Sequence, residues 1–265
     1  MFPFPKKKMK RPDALLVVRR LFVLREVFAK ALATPPAEHI EQWMKDWSQE
    51  DCRQFTSEFG AKFAAREEQI RSLGLWADMS EDERKFIRTG VMETTDRHRI
   101  DASWLVESMV CLLWSLGRVE RLPGYDEETT HELIEEHTGR SSWELLKTAI
   151  LRPQQEIEKQ RDLAELWHWR CRTRKLLEAG RIPAALENGL TMEKVIEMSA
   201  AKAAEAHAFE APIGNDFPTF GKPFREMDPT QFASVTSISQ ERHKAFNWLC
   251  GYAPGNRWAE TPTDT

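Results

Sequence analysis

The sequence lacks most features that mark metal, nucleic-acid or membrane proteins. Its 4 cysteines lie far apart and form neither a Cys-x-x-Cys pair nor a Cys/His ligand spacing. A net charge of -4 argues against a nucleic-acid partner, because such binders carry a strong basic excess. A membrane partner is not expected either, since polar side chains interrupt the longest apolar run before it could span a bilayer.

Common catalytic signatures are also missing. The chain has no glycine-rich phosphate loop and no nucleophile elbow. The histidine-rich segment from His131 does not complete a zinc-protease helix, because the fifth position of that motif is Glu135 instead of a second histidine. We therefore expect neither a metal ion nor a cofactor.

The N-terminus resembles a secretory signal without completing one. Lysines precede an apolar stretch at 14–24, but Arg19, Arg20 and Arg25 interrupt it. Together with the isolated cysteines, this favours a cytoplasmic protein with reduced thiols. Residues 1–12 are expected to form a disordered or extended basic tail.

What the sequence does contain is helical periodicity along nearly its whole length. Side-chain caps and prolines mark repeated helix starts, and no segment alternates as a strand would. The prediction is an all-α, bundle-like domain over 13–265, with one long loop near 209–229. Its centre is a buried helix over 103–122, because apolar residues cover nearly the whole circumference of that segment.

One acidic residue stands out on the predicted central helix. Glu107 falls on a stripe with Trp104, Cys111 and Trp114, so its carboxylate is expected to be buried. A buried carboxylate needs a partner, and a buried ion pair with an arginine of a neighbouring helix is the favoured interpretation. A ligand-binding or catalytic carboxylate is the alternative.

Several short segments together carry a family resemblance, which covers roughly 75–265. The most specific are Trp-x-Leu-Gly from Trp114 and Glu-Arg-x-x-Ala-x-Asn-Trp from Glu241. On these segments the chain resembles the family called domain of unknown function 4272, which comprises bacterial-type proteins of no established activity. Further matches are Leu75-Trp76, Met79-Ser80, Glu83, Leu122-Pro123, Leu151-Arg152-Pro153, His168-Trp169 and Asp264-Thr265.

The polar residues within or beside these segments are the candidate site. If they converge from three helices, they can specify packing, hold a small anion or perform acid–base chemistry. The candidate residues are Glu107, Arg118, Asp162, His168, Arg242, His243 and Asn247.

Two classes of function follow from these features. The favoured class is a non-catalytic interaction or regulatory protein with a protein partner, such as a toxin-neutralising protein, because an acidic surface suits a basic target. The alternative is a small-molecule-binding protein or a hydrolase. In a hydrolase, Glu107 or Asp162 would act as the base, and His168 or His243 as the acid.

Overall fold

The structure is a computed structural model, and it describes residues 10–139, 142–183 and 189–263. These residues are predominantly helical, which confirms the all-α prediction. Within them no helix is both long and apolar enough to cross a membrane. The described helices are α1 (Ala14–Ala33), α2 (Ala37–Asp46), α3 (Gln49–Ser72), α4 (Glu81–Arg88), α5 (Asp96–Ser103), α6 (Leu105–Ser115), α7 (His131–Thr138), α8 (Ser142–Thr148), α9 (Gln154–Glu178), α10 (Met192–Glu205) and α11 (Pro229–Leu249).

Side-chain caps set where several of these helices begin. Asp13 accepts a hydrogen bond from the first turn of α1. Ser48 with Asp51, and Ser80 with Glu83, form capping boxes at the starts of α3 and α4. Because these caps satisfy amide groups that have no partner inside the helix, each fixes a start that the sequence predicted.

The central helix is shorter than predicted. The expected helix over 103–122 is α6, which covers only 105–115, although every side chain from 106 to 115 is buried. Gly117 adopts a φ of 68° and ends the helix. The amide groups of Gly117 and Arg118 donate to the carbonyl oxygens of Trp114 and Leu113, at 2.9 Å each. The sequence did not predict this ending, because buried Val119 continues the apolar helical periodicity beyond Gly117.

Helix α6 lies in the main core. It packs against α1 and α11, and α11 packs along α9. Leu21 of α1, Met109 of α6 and Phe246 of α11 are fully buried in this core. Residues of α1 and α11 thus enclose α6, which is why its nearly all-apolar circumference is stable in water.

The segment predicted as a long loop at 209–229 contains a small hairpin. Phe217 and Phe224 are fully buried and pack with Trp167 of α9, so the segment folds back onto α9. Phe220 instead sits at the exposed turn with a φ of 50°. The two antiparallel strands are β1 (Pro218–Thr219) and β2 (Lys222–Pro223).

Parts of both termini lie outside the described residues. Most of the basic tail predicted for 1–12 and the Asp264-Thr265 ending belong to these parts. Arg11 is described, and its Nη2 donates to the Glu158 carboxylate of α9 at 2.8 Å.

Two glycine substitutions test the ending of α6. We expect Gly117→Ala to lower the free energy of unfolding by about 1–2 kcal/mol, because a Cβ is strained in the left-handed conformation. Gly60→Ala is the control, since Gly60 lies inside α3 with open space around it. It should raise the free energy of unfolding by roughly 0.5–1 kcal/mol. Urea unfolding measures both, and equal effects would contradict the assigned ending.

Candidate functional site

Glu107 of α6 and Arg242 of α11 form an ion pair in the main core. Glu107 Oε2 accepts a hydrogen bond from Arg242 Nε at 2.8 Å and lies 2.7 Å from Nη2 in the ion pair. Both side chains have 0% exposure. This is the buried ion pair that the sequence favoured for Glu107.

The rest of the hydrogen-bonding capacity of this pair is met by the segment that follows α6. The Thr129 amide donates to Glu107 Oε1 at 2.6 Å, and its hydroxyl donates to Oε2 at 3.0 Å. Arg242 has five N–H groups, and backbone carbonyls accept from those that Glu107 does not use. These carbonyls belong to Pro123 at 2.6 Å, Gly124 at 3.1 Å and Glu127 at 3.4 Å.

The groups next to the ion pair are held in their neutral forms. The Arg242 guanidinium lies 5.0 Å from the ring centroid of Tyr125, which stacks on Trp167 at 4.7 Å. Burial raises the pKa of the Tyr125 hydroxyl and of the Cys111 thiol well above their ordinary values. The protonated forms of both groups are therefore favoured at neutral pH.

A second polar network joins α9 to α11. Arg161 Nε donates to Asn247 Oδ1 at 2.9 Å. The Asn247 amide nitrogen lies 2.9 Å from His243 Nε2 and donates to the Pro262 carbonyl at 2.8 Å. His243 Nδ1 lies 2.9 Å from His168 Nδ1. His243 and Asn247 share one face of α11, as their spacing predicted.

The direction of these hydrogen bonds follows from Arg161, which can only donate. Asn247 must therefore present its oxygen to Arg161 and its NH₂ group to His243, so His243 Nε2 is an acceptor. In a neutral His243 ring the proton is then on Nδ1, and His168 Nδ1 accepts it. His168 consequently carries its own proton on Nε2.

Two candidate residues lie outside the buried parts of these networks. Asp162 is on α9, but its side chain is 69% exposed and contacts Arg161 at 3.1 Å. Arg118 is exposed beyond the end of α6 and donates to Thr148 Oγ1 at 2.6 Å. It lines an open cleft of about 870 Å³. The other five candidates meet in the interior, but as an ion pair and a histidine chain rather than as one cluster.

Sequence reasoning missed some of the polar residues that connect these helices in the interior. Arg161 was overlooked, although its spacing to Glu165 and His168 places all three on one face of α9. Ser108 of α6 donates to the Glu241 carboxylate of α11 at 2.7 Å. The pKa of that carboxyl is raised by burial. Thr129 had no usable signal, because its main contact is made by its backbone.

The hydrogen bonds of these buried polar residues limit the binding or catalytic roles that they could have. A catalytic base needs a lone pair that can reach a substrate, and a binding arginine needs a free N–H group. Glu107 and Arg242 have neither exposure nor a free N–H donor. In the described part of the chain, no group of three or more His, Cys, Asp or Glu residues is arranged to hold a metal ion.

A different feature, on α2 and α3, leaves aromatic side chains in contact with solvent. An unbroken series of ring contacts begins at buried Phe63 and ends at Trp43, which is 39% exposed. The successive centroid distances are 5.8 Å for Phe63–Phe59, 4.6 Å for Phe59–Phe55, 5.1 Å for Phe55–Trp47 and 5.9 Å for Trp47–Trp43.

We call residues 37–63 the aromatic arm. Its small apolar cluster, built on Ile40 and Phe63, is separate from the main core. Ile40 is the only buried residue of α2, and Phe63 and Ile70 are the only two of α3. The arm thus exposes far more of its surface than α6 or α11 does.

Lys30 of α1 supports the base of the aromatic arm. Its fully buried ammonium group lies 4.3 Å from the centroid of Phe63. It also donates to carbonyl oxygens at the end of α4, including those of Ile87 at 3.0 Å and Thr89 at 2.5 Å. Burial lowers the pKa of Lys30 to about 8. These contacts hold the inner end of the arm while its outer end faces solvent.

The fold and the site define an all-α protein in which the buried polar groups bond mainly to one another and to the backbone. The sequence profile described as Domain of unknown function (DUF4272) matches residues 17–197. The chain belongs to this family. The matched range includes Glu107 and His168 and ends before α11. Searches of curated proteins and of solved structures returned no significant match.

The ion pair predicts a large loss of stability when one partner is removed. We expect Glu107→Ala to lower the free energy of unfolding by about 3–5 kcal/mol, because the Arg242 charge then stays buried without its partner. The double variant Glu107→Leu with Arg242→Met should lose less than the sum of the two single variants. Glu50→Ala, in a pair with Arg53 that is 76% and 73% exposed, should change stability little. Additive losses in urea unfolding would contradict the assignment.

The histidine chain predicts opposite tautomers in its two rings. At neutral pH, ¹⁵N NMR should show a proton on Nδ1 of His243 and on Nε2 of His168. In Asn247→Ala the donor to His243 Nε2 is removed, so the tautomer preference of His243 should weaken. Identical tautomers in the unmodified protein would show that the hydrogen bonds run differently.

Proposed function

We propose that this protein is a non-catalytic interaction protein that binds a basic protein partner through the aromatic arm. The observation that carries the proposal is the partly exposed series of aromatic rings from Phe63 to Trp43 on the acidic helices α2 and α3. Trp43 and Met44, at 39% and 40% exposure, form its solvent-facing end.

The apolar part of the arm has the composition of a protein-binding surface. Tryptophan, phenylalanine and methionine are enriched in interfaces because they bury large areas at low conformational cost. Trp43 stacks on Trp47 with an interplanar angle of 22°, so the exposed ring is already held in place. A held ring loses little entropy on binding, which favours affinity.

The charge of the arm indicates the chemistry of the partner. Between 37 and 63 there are six carboxylates and three basic side chains, so the arm carries a net charge of -3. All six carboxylates are on exposed residues. A basic partner would be attracted to this surface and anchored by the rings. The acidic residues are Glu38, Glu41, Asp46, Glu50, Asp51 and Glu58.

The buried ion pair between Glu107 and Arg242 supports a non-catalytic function indirectly. A hydrolase or small-molecule site built on Glu107 and Arg242 would require both to leave their present partners, at a cost of several kcal/mol. Neutralisation of a basic toxin is one regulatory role that the acidic arm would suit.

The experiment is a comparison of bound partners, made with the full chain purified under native conditions. We expect native mass spectrometry to show a stoichiometric basic protein with the unmodified chain. Trp43→Ala with Met44→Ala should weaken its binding at least tenfold, a loss of about 1.4 kcal/mol. Reversing Glu38 and Glu41 to lysine should weaken it further at low salt.

Matched controls separate the arm from the rest of the surface. Ile150→Ala removes an apolar side chain that is 77% exposed elsewhere, and Glu205→Lys reverses an exposed charge on α10. Both should leave binding unchanged. A partner that binds all variants equally, an acidic partner or the absence of a protein partner would overturn the proposal.

A further inference from the structure

A cleft of about 430 Å³ lies away from both the ion pair and the aromatic arm. Its walls come from α9, from the start of α10 and from the segment that carries the hairpin. Arg170 and Leu177 contribute from α9, Thr191 and Lys194 from the start of α10, and Gly214, Asp216 and Arg225 from the hairpin segment.

Arg170 and Asp216 form a second buried ion pair on the wall of this cleft. Arg170 Nε and Nη2 donate to the two carboxylate oxygens of Asp216 at 2.8 and 2.7 Å. Their side chains are only 2% and 1% exposed. Asp216 also accepts from the backbone amides of Phe217 at 2.8 Å and Arg225 at 3.1 Å. Its hydrogen-bonding capacity is therefore largely used.

One nitrogen of Arg170 is left over. Nη1 is buried and has no hydrogen-bond partner among the described residues. It cannot turn to find one easily, because the guanidinium is fixed by Asp216 and lies 4.3 Å from the centroid of Phe224. Buried donors without partners are rare in folded proteins. This one indicates an acceptor that the described residues do not supply.

A second guanidinium group, that of Arg225, lines the same cleft. Arg225 is 55% exposed, and its Nη1 lies 3.9 Å from Asp216 Oδ2. The same nitrogen donates to the Gly214 carbonyl at 2.9 Å. Arg170 and Arg225 thus share one carboxylate, so these three side chains together carry one positive charge.

The start of α10 adds a favourable field to this charge. Thr191 caps the helix by accepting from the Lys194 amide at 3.3 Å. The positive end of the helix dipole therefore lies beside the arginines. Lys194 pairs with Glu197 at 2.9 Å, and Glu193 also lines the cleft. These two carboxylates would repel an extended polyanion, so the site suits a single small anionic group.

We propose that this cleft binds the oxyanion group of a small molecule, either a carboxylate or a phosphate. Arg170 Nη1 and the exposed guanidinium of Arg225 donate to its oxygens, since planar N–H donors match both anions. This would be a ligand site independent of the aromatic arm and of any protein partner bound there.

The test is a titration of the full-length protein with sodium phosphate and, separately, sodium acetate at constant ionic strength. We expect one of them to give saturable shifts of the Arg170 guanidinium signals in ¹H–¹⁵N spectra. The anion that saturates at the lower concentration identifies the group. Arg225→Gln should weaken binding at least tenfold, whereas Lys202→Gln, at the far end of α10, should not.

Arg170 itself stays unchanged in these variants, because its loss would leave Asp216 buried without its ion-pair partner. Two results would overturn the proposal. One is a linear, non-saturating response of the Arg170 signals to both anions. The other is saturable binding with the same affinity in Arg225→Gln as in the unmodified protein.

Discussion

The buried ion pair between Glu107 and Arg242 is the contact on which the interior of this protein depends. It joins α6 to α11 and, through Thr129 and the carbonyls at 123–127, fixes the segment that follows α6. A charge pair in an apolar core is unfavourable unless every donor and acceptor is matched. Here the matching includes backbone groups from a third part of the chain, so the pair couples chain segments that are far apart in sequence.

The polar groups of the interior and those nearer the surface differ in whether they already have partners within the protein. Glu107 and Arg242 are occupied by packing contacts, and the histidine chain is linked from Arg161 to His168. In the described part of the chain, two features that offer binding capacity lie elsewhere. They are the exposed rings of the aromatic arm and the leftover Nη1 of Arg170 at the α10 cleft. Binding at either place would leave the core packing in place.

Local signals in the sequence predicted much of the fold. Caps such as Ser48 and Ser80 act within one helical turn, so their residues alone indicate a helix start. Burial of Glu107 and its pairing with an arginine also followed, because a helix that is apolar nearly all round must be enclosed and a buried carboxylate must be neutralised or paired. The ending at Gly117 was missed because apolar periodicity continued past it.

The candidate site was harder to predict, for a physical reason. Periodicity assigns residues to a face of one helix, but it does not give the rotation of that helix against its neighbours. Asp162 was therefore placed with His168, whereas the face that meets α11 carries Arg161. Arg118 was placed in the interior because α6 was taken to be longer than it is. Partners that act through the backbone, such as Thr129, carry no residue-type signal.

Amide hydrogen exchange of the intact protein tests most directly the central claim that the Glu107–Arg242 ion pair is closed to solvent within the core. The Thr129 amide donates to Glu107 and so reports on access to that carboxylate. It should exchange only through global unfolding, with the same opening free energy as the most protected amides of α6 and α11. Fast exchange of the Thr129 amide through local opening would contradict the account, because Glu107 would then be accessible to solvent and to substrates.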